Sequence, residues 1–557
     1  MSLKTSVSVL VLIALLFISF YATAMPIHPD LLARLKQEGK LDAVVEQLQA
    51  AREKGVFAPN PRPPKLIGAQ TAVNQPAIVI LVDFTDNVAD TINYPAAHFD
   101  SLLFSQGIYP TGSMRDYYLE NSYGNMNITG TVTVWLRMPQ LYTYYTNDST
   151  GFGTYPRNAQ KLTEDAIMAA DPFIDFSSFD ADGDGYVDAL FVVHAGPGAE
   201  VTGNPNHIWS HKWQTSVPIP VDGVLASTYS MEPEDGKIGV FSHELGHVFG
   251  LPDLYDYGYD SRGLGGWSVM AGGSWGNGGV TPVHFDAWSK TKLGFVTPVE
   301  PAAGTLFAVE FPLVEYVPVI YKLYMDNIPN HEYFLVENRR ITGFDAYLPG
   351  PGLCIYHCDD TVSTGNDLQW YPGYTDSGHY LVALEQADGL WELEQDYGAD
   401  MGDPYPGTTG NLVFNDTTTP NSSNYSFLST GVCVDYISPP ADTMTANLCA
   451  GDPVGIQEQD RELKIENRVL LQNMPNPFYS STMISYSVLA FSQVSLQVFD
   501  ISGRFVQTLV DEPQGPGVYQ VHWDGKDSSG RGAGNGLYFY HLEAGHFTAT
   551  RKLILIR

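Results

Sequence analysis

Ser242-His243-Glu244-Leu245-Gly246-His247-Val248-Phe249-Gly250-Leu251-Pro252-Asp253-Leu254-Tyr255-Asp256 is the stretch that decides how this chain is read. On a helix, residues i and i+4 share a face, so His243 and His247 present two imidazoles to one metal ion. Glu244 then projects beside that ion, where a carboxylate can hold and deprotonate a water. Gly250 lies where the chain must turn sharply, and Pro252 stops the helix from continuing. The turn carries Asp253 back as the third ligand. Two imidazoles and one carboxylate leave a fourth tetrahedral position open, which is what a catalytic zinc needs. The expected ligands are therefore His243, His247 and Asp253, with Glu244 as the catalytic group.

Further along, Gly265-Gly266-Trp267-Ser268-Val269-Met270-Ala271-Gly272-Gly273-Ser274-Trp275 sets one methionine among glycines and small residues. Such a turn would put the polarizable side chain of Met270 beneath the metal as a cushion for the histidines. Upstream, Ala77-Ile78-Val79-Ile80-Leu81-Val82-Asp83-Phe84 and Ala189-Leu190-Phe191-Val192-Val193-His194 are continuous apolar runs of the kind found in buried central strands. The region from 76 to 300 thus reads as an α/β layer carrying a helix-borne site. Between its strands lies Asp180-Ala181-Asp182-Gly183-Asp184-Gly185-Tyr186-Val187-Asp188, with oxygen donors in the order of a calcium loop. Its expected ligands are Asp180, Asp182, Asp184 and Asp188. Position twelve of the loop is Phe191 rather than Glu, so another carboxylate would have to close the shell.

Met1-Ser2-Leu3-Lys4, an apolar run from Val7 to Phe20 and Ala22-Thr23-Ala24 form a signal peptide pattern over 1–24, and no other stretch is apolar enough to cross a bilayer. Helical spacing from Pro29 to Lys54, broken at Gly39, predicts two short amphipathic helices, followed by the Pro-rich linker Pro59-Asn60-Pro61-Arg62-Pro63-Pro64. Residues 25–75 have the layout of a protease propeptide. From 301 to 450 short alternating strands with Gly, Pro and Asp turns predict a β-rich domain, which holds all four cysteines, Cys354, Cys358, Cys433 and Cys449. Export favours disulfides among them, with the pairing open. A polar linker, 451–462, precedes a tail of β-sandwich size, 463–557. The net charge of −33 and the lack of basic runs argue against nucleic acid as a partner.

The His-Glu-x-Gly-His stretch through Asp256, the Trp267–Trp275 turn, Thr281-Pro282-Val283-His284-Phe285-Asp286-Ala287-Trp288, Gly185-Tyr186-Val187-Asp188 and Leu335-Val336-Glu337-Asn338-Arg339 together resemble the immune inhibitor A-like, M6 group of secreted zinc metallopeptidases. The resemblance runs from about Pro76 to Met444. It implies a zymogen with an N-terminal propeptide, a metzincin-related catalytic domain with a Met-turn at Met270, zinc and calcium as cofactors, and a β-rich domain behind it. It also implies a bacterial endopeptidase acting on extracellular proteins through a zinc-activated water, with Glu244 as general base and acid. Leu471-Gln472-Asn473-Met474-Pro475-Asn476-Pro477-Phe478, Asp500-Ile501-Ser502-Gly503-Arg504 and Gly536-Leu537-Tyr538-Phe539-Tyr540 resemble the FlgD-like immunoglobulin fold and sorting domain of type IX secretion cargo. That implies export through secretion machinery, then release or attachment at the cell surface. The expected whole is a multidomain α+β monomer: an α/β zincin-type catalytic domain, a β-rich domain and an Ig-like β-sandwich.

Several choices stay open in the sequence. Tyr255, Tyr257 or His284 could donate the second hydrogen bond to a reacting carbonyl. The leader has no cysteine, which leaves His28 or Asp30 as the groups to block a metal. His207 and His211 also stand four apart, but without a Glu between them and just after Pro205, so a core or cleft-wall role is expected.

Overall fold

The computed structural model describes residues 24–556 apart from 57–59, 66–72, 327, 329, 375–377, 452–469 and short breaks between 471 and 546. The signal segment before Ala24 and nearly all of the linker 451–462 lie outside the described residues. The chain divides into two compact units, residues 1–454 and 455–557. Among the described residues no helix is long and apolar enough to cross a membrane.

The first unit is organised on a six-stranded sheet. Strand β1 (Val73–Asp83) is buried from Ala77 onward, and its Val, Ile and Leu run suits a strand covered on both faces. The order is β2-β1-β4-β6-β5, with β2 (Met126–Val132), β4 (Leu190–His194), β5 (His211–Val221) and β6 (Val224–Pro233); the short β3 (Leu136–Arg137) also pairs with β1. Pairings are parallel except for β5, which runs antiparallel to β6 at the sheet's edge. An edge strand offers unpaired N–H and C=O groups to another segment. Soon after β6 the chain enters the site helix, Ile238–Val248, all eleven residues of which are buried.

The leader forms two helices, Pro29–Glu38 and Leu41–Glu53, with Gly39 in the left-handed conformation between them. Leu31, Leu32, Leu35 and Ala51 are buried in the same apolar core as β1 and the site helix. The leader is therefore part of the packed body of this unit.

Two antiparallel four-stranded sheets complete the unit. One has the order β11-β10-β9-β8, from β8 (Tyr321–Tyr324), β9 (Glu332–Arg339), β10 (Gly352–Asp359) and β11 (Val382–Leu384). The other has the order β12-β13-β14-β7, from β7 (Gly304–Pro312), β12 (Val413–Phe414), β13 (Cys433–Asp435) and β14 (Thr443–Ala450). Cys433 and Cys449, directly opposite on β13 and β14, form a disulfide. Cys354 and Cys358 are buried free thiols. Disulfide bonding of all four cysteines is thus corrected: the latter two lie four residues apart on one extended strand, too far for a bridge between them.

The second unit holds strands β15 (Thr482–Val488) and β18 (Gly517–Trp523) in one sheet and β17-β16-β19-β20 in the other. These last are β16 (Ser492–Asp500), β17 (Phe505–Gln514), β19 (Gly536–Ala544) and β20 (Phe547–Leu555). Val494, Leu496 and Val498 alternate inward on β16 and share a core with Trp523 and Tyr540.

Arg339, at the end of β9, is fully buried and ties the β-rich half of the first unit to the site region. It donates to Asp345 at 2.6 and 3.0 Å and to the carbonyl oxygen of Trp267. Burial alone would raise the Asp345 carboxyl, but the charge and hydrogen bonds of Arg339, with the charges of His284 and Lys290, together hold it well below its ordinary range. Replacing Arg339→Leu would strand a buried carboxylate, a loss on the order of 3–5 kcal/mol. Urea unfolding should show a correspondingly lower midpoint, and an unchanged midpoint would refute this role.

Candidate metal centre

The site helix brings His243 and His247 onto one face, and Gly250 turns the chain behind them with φ at 94°. Asp253 returns from that turn. His243 Nε2 and His247 Nε2 are 3.0 Å apart, and Asp253 Oδ1 lies 3.0 and 3.3 Å from them. Donors about 2.0 Å from a tetrahedral ion are separated by roughly 3.3 Å, so this triangle has the size of one face of a zinc site. All three residues are fully buried.

The far nitrogens of both rings are committed to backbone carbonyls, His243 Nδ1 to Val269 at 2.7 Å and His247 Nδ1 to Leu251 at 2.8 Å. Those bonds fix the tautomers that leave each Nε2 facing Asp253. Tyr257 donates to Asp253 Oδ2 at 2.9 Å and orients the carboxylate in turn. Without a metal, burial would push His243 down, but hydrogen bonding and charge from Asp253 outweigh it and raise the ring to about 9. Asp253 thus favours positive charge at His243, while burial lowers His247; a cation bound among the donors would meet the same pull.

Glu244 is fully buried, and neither of its oxygens has a hydrogen-bond partner among the described residues. Burial raises its carboxyl well above the ordinary range, with Glu232, Asp253 and Glu200 adding to the rise. Lys212, buried on β5, lies in the field of Glu244 and Asp253; burial lowers its ammonium to about 7 against their pull. No motif in the sequence marks this lysine.

Met270 packs against the helix between the two imidazoles. A Cβ at Gly246 would lie 2.6 Å from the Met270 sulfur, which is why this turn of the helix needs glycine. The Met270 carbonyl accepts from Leu254 N–H at 2.8 Å, tying the metal loop to the methionine turn.

Across this site runs the junction between the signal segment and the leader. Ala24 forms an antiparallel bridge with His211 on β5. Its N–H donates to Asp253 Oδ2 at 3.0 Å, and its carbonyl oxygen accepts from Tyr255 OH at 2.6 Å and lies 3.1 Å from His243 Nε2. His28 and Asp30, the groups expected to block a metal, instead begin the first leader helix, where the His28 side chain caps it. Backbone atoms of Ala24 occupy the position by the metal donors. Of the three donors considered for a reacting carbonyl, Tyr255 donates to the Ala24 carbonyl and Tyr257 to Asp253. His284 pairs with Glu120 at 2.8 Å instead. His207 bonds Thr202 while His211 bonds the Trp209 carbonyl and Tyr229, so these two histidines do not converge.

In the acidic loop Asp180, Asp182 and Asp188 bring carboxylate oxygens within 4.8 Å of one another. Asp184, expected among them, stays out of this cluster: its carboxylate accepts from Tyr186 N–H and its own N–H donates to Asp180 and Asp182.

Residues 70–295 match the family described as immune inhibitor A peptidase M6, catalytic domain. This segment belongs to the M6 peptidase family. The matched segment contains every residue of the candidate centre except Ala24, the last residue of the signal segment. Residues 488–546 match the FlgD Ig-like domain. The chain is 34% identical over 264 residues to immune inhibitor A of Bacillus thuringiensis subsp. alesti, covering 38% of each chain. It is 30% identical over 311 residues to the pre-pro-metalloprotease PrtV of Vibrio cholerae serotype O1, covering 46% of this chain and 33% of PrtV. The match thus spans well under half the length of these relatives.

The contact between Gly246 and Met270 gives a direct test of this packing. Gly246→Ala should cost about 1–3 kcal/mol through overpacking. Its thermal midpoint should fall, and a variant as stable as the parent would show that the close approach is not required.

Proposed function

We propose that the chain is a secreted zinc endopeptidase made as a latent precursor. The observation that carries this reading is the triangle of His243, His247 and Asp253 donors beside the unpartnered Glu244, within an M6 domain. A zinc ion held by those three residues supplies a Lewis acid for the scissile carbonyl and for the attacking water. Glu244 takes a proton from that water as its oxygen adds to the carbonyl carbon, then delivers it to the amide nitrogen as the C–N bond breaks. Tyr255 donates to the carbonyl oxygen as negative charge gathers there, as it does to the Ala24 carbonyl. Tyr257 and the carbonyls of Val269 and Leu251 hold the ligands in place. In this reading Met270 is the Met-turn and the fold is zincin-type.

Latency follows from the first residues of the leader. Met25 and Pro26 are held in the groove by Ser210, Trp209 and Trp275 while the two leader helices are anchored in the core, so substrate reaches the site only once residues 25–75 are displaced. The name of the Vibrio relative, a pre-pro-metalloprotease, agrees with such a layout. The FlgD-like tail is read as the sorting module that sends the protein out of the cell, to be released or held at its surface. Proteins and peptides are the substrates of this reading, and the enzyme acts as a monomer.

Glu244→Gln should retain one zinc per chain but lose about 10²–10⁴-fold of the casein-digesting activity of leader-free enzyme. Full activity in the purified variant would refute the role of Glu244, and loss of activity together with zinc would make it a ligand instead.

We assign calcium to Asp180, Asp182 and Asp188. Burial first, then the charges of Asp182 and Asp180, raise the Asp188 carboxyl to about 6. Because this folded value lies above the unfolded one of about 3.9, proton binding stabilises the fold below about pH 4 and that contribution fades as pH rises through 6. A cation takes the proton's place above that. Calcium should therefore raise the thermal midpoint at pH 7.5 and do little at pH 4.5; equal shifts at both, or none, would remove the site.

A further inference from the structure

Between β11 and β12 the chain runs from Glu385 to Leu412 without a helix or a strand. A connection of that length inside a packed unit needs something other than regular backbone pairing to hold it. It goes out through Ala387-Asp388-Gly389-Leu390-Trp391-Glu392 and returns through Ala399-Asp400-Met401-Gly402-Asp403, beyond the matched peptidase segment 70–295.

Folding brings the two halves together. One carboxylate oxygen each from Asp388, Glu392 and Asp400 lies within 4.8 Å of the other two. Gly402 stands where the halves meet. A Cβ there would collide with Asp388 Oδ2 and lie 2.9 Å from Asp400 Oδ1, so only a bare backbone lets these carboxylates close in. Clustered acids by themselves are common on a chain with a net charge of −33. Asp403 sets this cluster apart. It is fully buried, and its Oδ2 accepts from Trp267 Nε1 at 2.8 Å and from Asp400 N–H at 2.9 Å, whereas Oδ1 has no hydrogen-bond partner among the described residues. A buried carboxylate oxygen without a partner carries a desolvation penalty that a bound cation removes. Burial first, then the charges of Asp400 and Asp388, push this carboxyl up to about 7 against two hydrogen bonds that lower it. Glu392 Oε2 is likewise buried without a partner among the described residues.

We propose that Asp388, Glu392, Asp400 and Asp403 form a second calcium site, distinct from the loop at Asp180, Asp182 and Asp188. All four donors are carboxylates, with no His or Cys among them, which suits a hard cation and disfavours zinc. Oxygens about 2.4 Å from one ion stand up to about 4.8 Å apart, whereas magnesium, with donors at about 2.1 Å in a strict octahedron, needs a tighter set. The ion ties the outgoing half of the loop to the returning half. Through Asp403 and the Trp267 indole it also braces the methionine turn from behind. The Leu393 carbonyl accepts from Arg262 N–H at 2.8 Å, which gives the loop a second hold on the stretch between Asp253 and Met270. The assignment does not depend on the peptidase reading.

Calcium titrated by calorimetry into the full-length chain, after treatment with EGTA and dialysis, tests it. The parent should bind two calcium ions per chain, Asp180→Asn/Asp182→Asn should keep one, and Asp388→Asn/Asp400→Asn should also keep one. An Asp180→Asn/Asp182→Asn chain that binds none, or an Asp388→Asn/Asp400→Asn chain that binds as many as the parent, would overturn the site. If the parent and the first variant each bind a single ion that the second variant loses, the calcium loop assigned above fails and this site stands. Should the second variant not fold, terbium decides the matter in the first. Trp391 precedes Glu392 and Trp267 is bonded to Asp403, so indoles lie beside the site. Terbium bound to Asp180→Asn/Asp182→Asn should therefore emit on tryptophan excitation, and calcium should quench that emission; no emission there would equally overturn the site.

Discussion

Asp253 sits buried between two imidazoles, and most of the surrounding architecture answers to that arrangement. A buried carboxylate and two histidine nitrogens 3.0–3.3 Å apart favour positive charge between them. Each is held from behind: His243 by the Val269 carbonyl, His247 by the Leu251 carbonyl, Asp253 by Tyr257. The supports come from the methionine turn, the end of the site helix and the loop beyond it. The close fit of Met270 on Gly246 locks those pieces together, so the centre is rigid because its neighbours are.

The same supports position whatever lies in the groove. The edge strand β5 offers backbone groups, Tyr255 offers a hydroxyl, and Trp209 and Trp275 offer indole N–H groups; the leader uses all of them. Through these contacts a short segment without cysteine occupies the site. The leader helices supply the anchoring, through Leu31, Leu32 and Leu35 in the core and through Arg52 paired with Asp367 at 2.8 Å.

The β-rich sheets of the first unit belong to this construction as well. Arg339 reaches from β9 to the Trp267 carbonyl, three residues before Met270, and Trp267 Nε1 donates to Asp403 at 2.8 Å. The methionine turn is thereby clamped between the helix that carries the histidines and a β-sheet with its own buried charge. The FlgD-like unit has a separate core around Trp523 and Tyr540.

By itself the sequence determined what local periodicity can encode. His243 and His247 share a face because a helix repeats every 3.6 residues; β1 and β4 are central because their apolar runs have no polar side; Gly39 divides the leader helices because it accepts a left-handed turn. The spacing to Asp253 and Met270 was legible for the same reason, as short turns with small residues. Only the tertiary structure decided the rest, since its contacts join residues far apart in the chain. Ala24 meets Asp253 across 229 positions, and Trp209 meets Met25 across 184. Nothing in the local pattern around Tyr255 or Tyr257 says which will face a carbonyl and which a ligand, or that Lys212 will be buried in the field of Glu244 and Asp253. Asp184 fits a calcium loop by order alone, yet its carboxylate is taken by the N–H of Tyr186. The helix motif named the chemistry, and the fold settled which atoms surround it, because that depends on which distant strands and loops pack there.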